Sequence, residues 1–589
     1  MKSVNCLVPE NHLRGLELIS EGYYDEAIVY FENKVKEEPE NYEIWFYLGN
    51  AYFENRDYGK AIKAYERVLS LNSSFQSAYI SLASAYLKIG KKRKAKRIIL
   101  DGLKKFNNDE FLYLSSIVLA ECGYYKNAEK IIKGLIKKSR EDSYLVVLGN
   151  IYFGMEKYEE ALKAYKQALE INEKNEEAWN NMGFLYFSLG NYVKARECYE
   201  KAVGMNQGYR EAWYNLGYLE HTLGNLSKAV FYYWKALQID SRDEVTWNNL
   251  GNALYNLGKY MESIPYFMKS VSINSEYEIG WNNVGNALDK MGMHKYSIPF
   301  HERALKINPK FDYAWHAKGH ALSALGHYEE ALDALENAIE LNSEYADTWY
   351  WRGYSLYKLG RYEEAIDSLK MAVKIEPNVR SFELLGDICS FLGYYVESLR
   401  YYEGALKYGN SEEKARIYIK MGKYEEALEF VDNITKANIL YKLGRYNEIL
   451  KIEENGKDLD YMRCLALEAL GRYEEALKIA SKYKTERFRR ERKFIEFLIN
   501  GSKFSLDTND RDYILRIGTA LLDKGEYDKA VEIFRDIKTK EGYYFLGEAY
   551  IALGKVKEGI RYLEIAAGMG LELALKRLEE VKMGEKVSS

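Results

Sequence analysis

The stretch "WNNLGNALYNLGKYMESI" at residues 247–264 is followed by "WNNVGNALDKMGMHKYSI" at residues 281–298. The two agree at most positions and start 34 residues apart, so the 589-residue chain is read first as a repeat and only then divided into domains. With Trp247 as position 4, Leu250, Gly251 and Leu254 fall at positions 7, 8 and 11. That spacing is one apolar stripe on a helix. Ser263, Phe267 and Ser270, at positions 20, 24 and 27, make a stripe on a second helix. Between them, position 15 is glycine at Gly90, Gly123, Gly190, Gly224, Gly258, Gly292, Gly326, Gly360 and Gly393. A glycine there ends the first helix in the left-handed conformation without Cβ strain. Each repeat is a helical hairpin.

Small residues recur at positions 8 and 20, as in Gly49 with Ala61, Gly149 with Ala161, Gly183 with Ala195 and Gly319 with Ala331. They let the two helices approach where they cross. Position 32 is proline at Pro39, Pro309 and Pro377, a stop before the next hairpin. Pro265 and Pro299 are expected near the first turn of their helices, where a missing N–H costs little. The full pattern, carried by Trp179, Met182, Gly183, Tyr186, Ala195, Tyr199 and Ala202, resembles the tetratricopeptide repeat. The resemblance implies an all-α, right-handed superhelical solenoid of stacked helix-turn-helix hairpins, with the first helices lining the concave face.

About twelve regular repeats are expected over residues 8–410. Over 411–480, Gly422, Gly444 and Gly471 are only 22 and 27 residues apart, which reads as three shortened hairpins whose first helices have lost length. Residues 481–510 read as an irregular insertion, a solvated charged helix ending near Gly501 and then a loop. Two further repeats and a C-terminal capping helix are expected over 511–589.

Net charge is −4 and the sequence pI about 6.2, which argues against a general nucleic-acid surface. The five cysteines (Cys6, Cys122, Cys198, Cys389, Cys464) never form CxxC, which argues against a zinc ribbon or disulfide scaffold. No apolar run is long enough for a secretory leader or a membrane span, so a cytoplasmic location is expected. A search for GxxxxGK[ST], GxSxG or a strand-led GxGxxG finds none, and no cofactor is expected.

Binding is expected on the remaining face of the first helices. Position 6 is asparagine in four consecutive repeats, Asn181, Asn215, Asn249 and Asn283, and position 9 at Asn50, Asn150, Asn252 and Asn286. An amide both donates and accepts, so it can pair with the backbone of an extended chain without reading its side chains. The arrangement resembles the asparagine ladder in the superhelix of the O-linked N-acetylglucosamine transferases, whose separate catalytic region has no counterpart here. Phe184, Phe187, Tyr214, Tyr218, Tyr255, Tyr350, Trp351, Tyr354 and Tyr357 flank the ladder as an apolar track, or else pack sideways against neighbouring helices. The carboxylate clamp known in this family fails, because Glu211 and Asn215 stand where its cations should be. His316 and His320 lie one turn apart with Asp289 one repeat earlier, but Ala317 replaces the glutamate of a metalloprotease motif and no metal is expected. The sequence therefore predicts a non-enzymatic scaffold that holds protein or extended peptide segments in a superhelical groove. The alternatives are an assembly platform acting through its convex face or its C-terminal part, and an RNA-binding array built on Lys482–Lys493, which the acidic balance opposes.

Overall fold

A computed structural model of the chain describes residues 10–500 and 511–588. Cys6, the expected start of the repeats at residue 8 and the loop expected after Gly501 lie outside them. The chain divides into two compact units, Met1–Arg361 and Tyr362–Ser589. Both are all-α solenoids of stacked hairpins: 36 helices follow in tandem, with no strand among the described residues.

In the first unit the hairpins are regular, as in Glu176–Ser188 with Tyr192–Met205 and Glu244–Asn256 with Tyr260–Ile273. The turn glycines are left-handed as expected, with φ of 75°, 77°, 77° and 73° at Gly190, Gly224, Gly258 and Gly292. Two hairpins depart from this rule, placing Arg56 (φ 64°) and Glu156 (φ 60°) at the same turn. A side chain in that conformation costs roughly 1–2 kcal/mol.

The glycine at position 8 answers to the ring at position 24 more than to the small residue at position 20. A Cβ on Gly149 would lie 2.4 Å from the Tyr165 ring, and one on Gly251 would lie 2.6 Å from Phe267. Those rings are almost wholly buried and form the hairpin core. The tryptophan at position 4 adds a lock between hairpins. Its indole N–H donates to the carbonyl six residues back, at 2.9 Å from Trp179 to Glu173 and 2.8 Å from Trp247 to Ser241. Pro265 and Pro299 sit deeper than expected, as the sixth residues of Tyr260–Ile273 and His294–Ile307. Both are exposed, so the carbonyl each leaves unbonded faces water.

First helices of successive hairpins touch, from Asp142–Gly154 against Glu176–Ser188 through to Asp312–Leu325 against Ala346–Lys358. Among the described residues, successive second helices show no comparable packing. A stack that is tight on one side and splayed on the other must bend, with the first helices inside.

In the second unit the first helices are shortened as expected, from thirteen residues in a regular hairpin such as Glu176–Ser188. Most of the loss, however, falls on the second helices, which have fourteen residues in Tyr192–Met205. The first helices Ser411–Lys420 and Asn433–Lys442 keep ten residues each, whereas Tyr424–Ala427 and Tyr446–Ile449 are single turns. Asp432, by accepting the Thr435 N–H at 2.7 Å, already caps the next helix five residues after Ala427. No room is left for the half of the second helix that would carry the core ring.

Glu486–Asn500 is a regular helix, and the expected solvated face is only half of it. Phe488, Glu491, Phe494, Ile495 and Phe497 are buried. The sequence alternates charge and aromatic so that the cations lie outward, with Arg487 3.6 Å above the Tyr461 ring. Inside, Arg516 donates to Glu468 at 2.7 Å and to Glu491 at 3.0 Å, and the Tyr461 hydroxyl donates to Glu491 at 3.1 Å.

Candidate functional site

The expected ladder faces the inside of the bend in the first unit, and all four of its amides are half-buried. Each is also tied to the hairpin before it. The side-chain N–H of Asn181 donates to Asn150 at 3.0 Å, that of Asn215 to Asn180 at 2.8 Å, that of Asn249 to the Tyr214 hydroxyl at 3.1 Å, and that of Asn283 to Asn248 at 2.8 Å. Position 6 is thus a staple to position 5 of the preceding hairpin, or to position 9 in the case of Asn150. Sequence reasoning missed these acceptors, although the doubled asparagines of "WNN" signal them. A primary amide has two donors and a carbonyl. Asn215, Asn249 and Asn283 therefore keep one N–H and the oxygen for another chain, while the Asn181 oxygen already accepts from Asn180 at 3.2 Å.

The position-9 asparagines differ among themselves, and the ring at position 24 decides how. The hydroxyls of Tyr65 and Tyr165 donate to Asn50 and Asn150, each at 2.8 Å. In the eighth hairpin the ring is Phe267, which has no hydroxyl. In the ninth it is His301, whose nitrogens face Asn282 at 2.8 Å and Asp289 at 3.0 Å. Asn252 and Asn286 are consequently left without a hydrogen-bond partner among the described residues, half-buried and one repeat apart.

Rings border these amides on both sides. Phe184 and Tyr218 are 44% and 46% exposed, too open to count as core. They continue into packed neighbours: Phe153 with Phe184 at 5.4 Å, Phe187 with Tyr218 at 5.5 Å, and Tyr214 stacked on Tyr218 at 6.4 Å. Half-buried Tyr255 meets Tyr260 at 5.1 Å. At the far end Tyr350, Trp351, Tyr354 and Tyr357 are half-buried, with Trp351 5.5 Å from Tyr354 and 4.4 Å from His320. The track is part open surface and part sideways packing, with Phe184 and Tyr218 its open members.

Glu177 opens to solvent at position 2, yet its carboxyl is raised, first by loss of solvation between the neighbouring hairpins and then by Glu176, against a hydrogen bond with Asn181. Solvation is thus reduced around Glu177, where a hydrogen bond to an occupant would gain strength. The histidines do not converge on one point. Asp289 takes His294 and His301, both at 3.0 Å, and His316 bonds Thr348 at 3.0 Å. Burial, aided by His316 and His294, pushes His320 down to about 4, so it is neutral at physiological pH. Among the described residues no group of three histidines, cysteines or acids is placed to hold a metal. Nor is any helix long and apolar enough to cross a membrane.

Family models described as tetratricopeptide repeat match residues 42–75, 176–209, 211–243, 245–277, 316–379 and 412–432, and one described as TPR repeat matches 149–190. A TPR repeat-containing protein of Methanocaldococcus jannaschii is 29% identical over 144 residues, covering 24% of this chain and 25% of the relative. The peroxisomal targeting signal receptor of Kluyveromyces lactis is 23% identical over 185 residues, 31% of each chain. The chain thus spans about a quarter to a third of the length of these curated relatives. Among solved structures, YrrB, a TPR protein with an unusual peptide-binding site, matches with 26% identity and a TM-score of 0.27, covering 31% of this chain and 94% of its own. Yeast Tom70 matches with 15% identity and a TM-score of 0.33, covering 71% of this chain and 95% of its own.

Proposed function

Because the chain belongs to the tetratricopeptide repeat family, we propose that it is a non-catalytic protein-binding adaptor whose first unit holds an extended segment of a partner along its concave face. The observation that carries this reading is the pair Asn252 and Asn286. At Asn50 and Asn150 the same position is hydrogen-bonded to a tyrosine, whereas here two amides stand open beside exposed rings. Unpaired half-buried amides are unfavourable unless water or a partner satisfies them. An extended backbone offers N–H and C=O groups at regular intervals, and one amide per repeat suits them. Asn215, Asn249 and Asn283 would supply further groups, and Phe184, Tyr218, Tyr214, Trp351 and Tyr354 would cover the occupant's apolar side chains. Asn181, with fewer free groups, would act mainly as a staple.

Peptides selected on the intact protein from a displayed random library provide the test. Asn252→Ala with Asn286→Ala is expected to weaken their binding about tenfold or more, as loss of two hydrogen bonds at about 1 kcal/mol each requires. Phe267→Tyr should also weaken binding, by returning to Asn252 the hydroxyl that Tyr65 and Tyr165 provide in their hairpins, while leaving thermal stability equal or higher. Unchanged affinity in both variants, with circular dichroism intact, removes the groove reading.

A further inference from the structure

Arg56 stands at a turn where nearly every other hairpin has glycine, and its left-handed backbone is strained. Its side chain reaches residues almost two hundred positions away. Arg56 Nη1 lies 2.7 Å from Glu244 Oε1, and Nη2 donates to the Arg242 carbonyl at 3.2 Å. The Arg242 guanidinium in turn lies 4.7 Å above the ring of Tyr24, and a Cβ on Gly22 would come within 3.6 Å of it. Two turns of the first two hairpins thus meet the loop six hairpins further on, around a cavity of about 430 Å³ that also includes Phe53, Tyr58 and Lys88. Burial alone would raise the Glu244 carboxyl, but Arg56, the N–H at its own helix start and Asn274 hold it below the usual range. The charge at this contact is therefore kept.

Glu156 supplies the internal comparison. It occupies the equivalent turn of the fifth hairpin with the same strained backbone, and its side chain makes no such contact among the described residues. The strain at position 15 is thus tolerated twice but linked to a distant partner once.

We infer that Tyr24, Arg56, Arg242 and Glu244 form a clasp that closes the first coil of the solenoid on itself. A bend made only of neighbour-to-neighbour contacts can open and close like a spring, because each hairpin touches only the next. A contact that passes over five intervening hairpins fixes the coil's diameter. The concave face inside becomes a ring that an extended segment enters end-on or after the clasp opens, a consequence that rests on the binding reading above. The clasp itself does not depend on that reading.

The experiment measures the coil directly. Spin labels are placed at Lys63→Cys and Lys269→Cys in the full-length chain with Cys6→Ser, since the other four cysteines are buried. The distance between labels is compared in otherwise native protein, Arg56→Gly and Glu156→Gly. Both glycines relieve the same strain, so both variants should fold. Only Arg56→Gly should give a longer and broader distance distribution, and Arg242→Ala should do the same, because it removes the contact with Tyr24. Identical distributions in all three proteins, or equal broadening in both glycine variants, overturn the clasp. If the selected peptides bind, Arg56→Gly should also speed their association several-fold. Loss of peptide binding in every protein, with the distance change present, would count against the groove and leave the clasp standing.

Discussion

Replacing Arg516 by methionine is expected to cost about 3–5 kcal/mol and to melt the helix Arg511–Asp523 from the second unit. The guanidinium lies between the carboxylates of Glu468 and Glu491, and Glu491 is only 2% exposed. Methionine nearly fills the volume, so the loss is electrostatic: two acids are left facing each other without a cation. The triple change Arg516→Met, Glu468→Gln, Glu491→Gln should recover most of the stability, because it removes the uncompensated charge. The same cluster fixes a pH dependence. Burial, and then Glu491, raise the Glu468 carboxyl well above its ordinary value of 4.5, so the folded unit holds a proton that the unfolded chain releases. Stability from this group is complete below that ordinary value and falls as pH rises through neutrality toward the raised one. Denaturant melts followed by the aromatic signal at pH 5 and pH 9 check the sign. The native chain should be the more stable at pH 5 in its C-terminal transition, and a Glu468→Gln chain should lose that difference.

Gly149→Ala is expected to destabilise the first unit by about 1–3 kcal/mol, a large effect for a single methyl group. The added Cβ would meet three atoms of the Tyr165 ring at 2.4–2.9 Å, and that ring is 2% exposed with nowhere to retreat. The consequence should reach the concave face. Tyr165 holds Asn150, and Asn150 accepts from Asn181, so a displaced ring loosens the first staple of the ladder. Hydrogen exchange should show faster opening of Asp142–Gly154 and Glu176–Ser188, with Glu278–Lys290 little changed, because coupling in a solenoid decays with distance. At turn glycines such as Gly190, Gly224, Gly258 and Gly292 an added Cβ meets nothing within 4 Å, so their requirement is conformational alone.

These cases also explain what could be read in advance. The 34-residue spacing, the turn glycines and the apolar stripes are local, and they specify a hairpin before any tertiary contact exists. In the 411–480 region the glycine spacing shows that the hairpins are short, but it measures the sum of two helices and not its division, so the larger loss on the second helices stays hidden. The charged helix looked solvated because Glu491 is an acid among bases, and nothing local shows that Arg516 comes to meet it. For the concave face, periodicity identified the helix face that lines the inside of the bend but treated all its asparagines alike. What separates an open amide such as Asn252 from a tied one such as Asn150 is a hydroxyl on the second helix, present in Tyr165 and absent in Phe267. The contact of Arg56 with Glu244 spans too much sequence for any local pattern to announce.

The most direct measurement of the central claim is site-specific photocrosslinking in native lysate. A benzophenone side chain is introduced in place of Tyr218, whose exposed ring lies on the concave face, or in place of Phe231, 53% exposed on the second helix Leu226–Ile239. The account predicts that Tyr218 crosslinks a partner through one short extended segment, that adding Asn252→Ala and Asn286→Ala abolishes the adduct, and that Phe231 gives none. An adduct from Phe231 alone, insensitive to those asparagines, would contradict it and move the binding surface to the convex side.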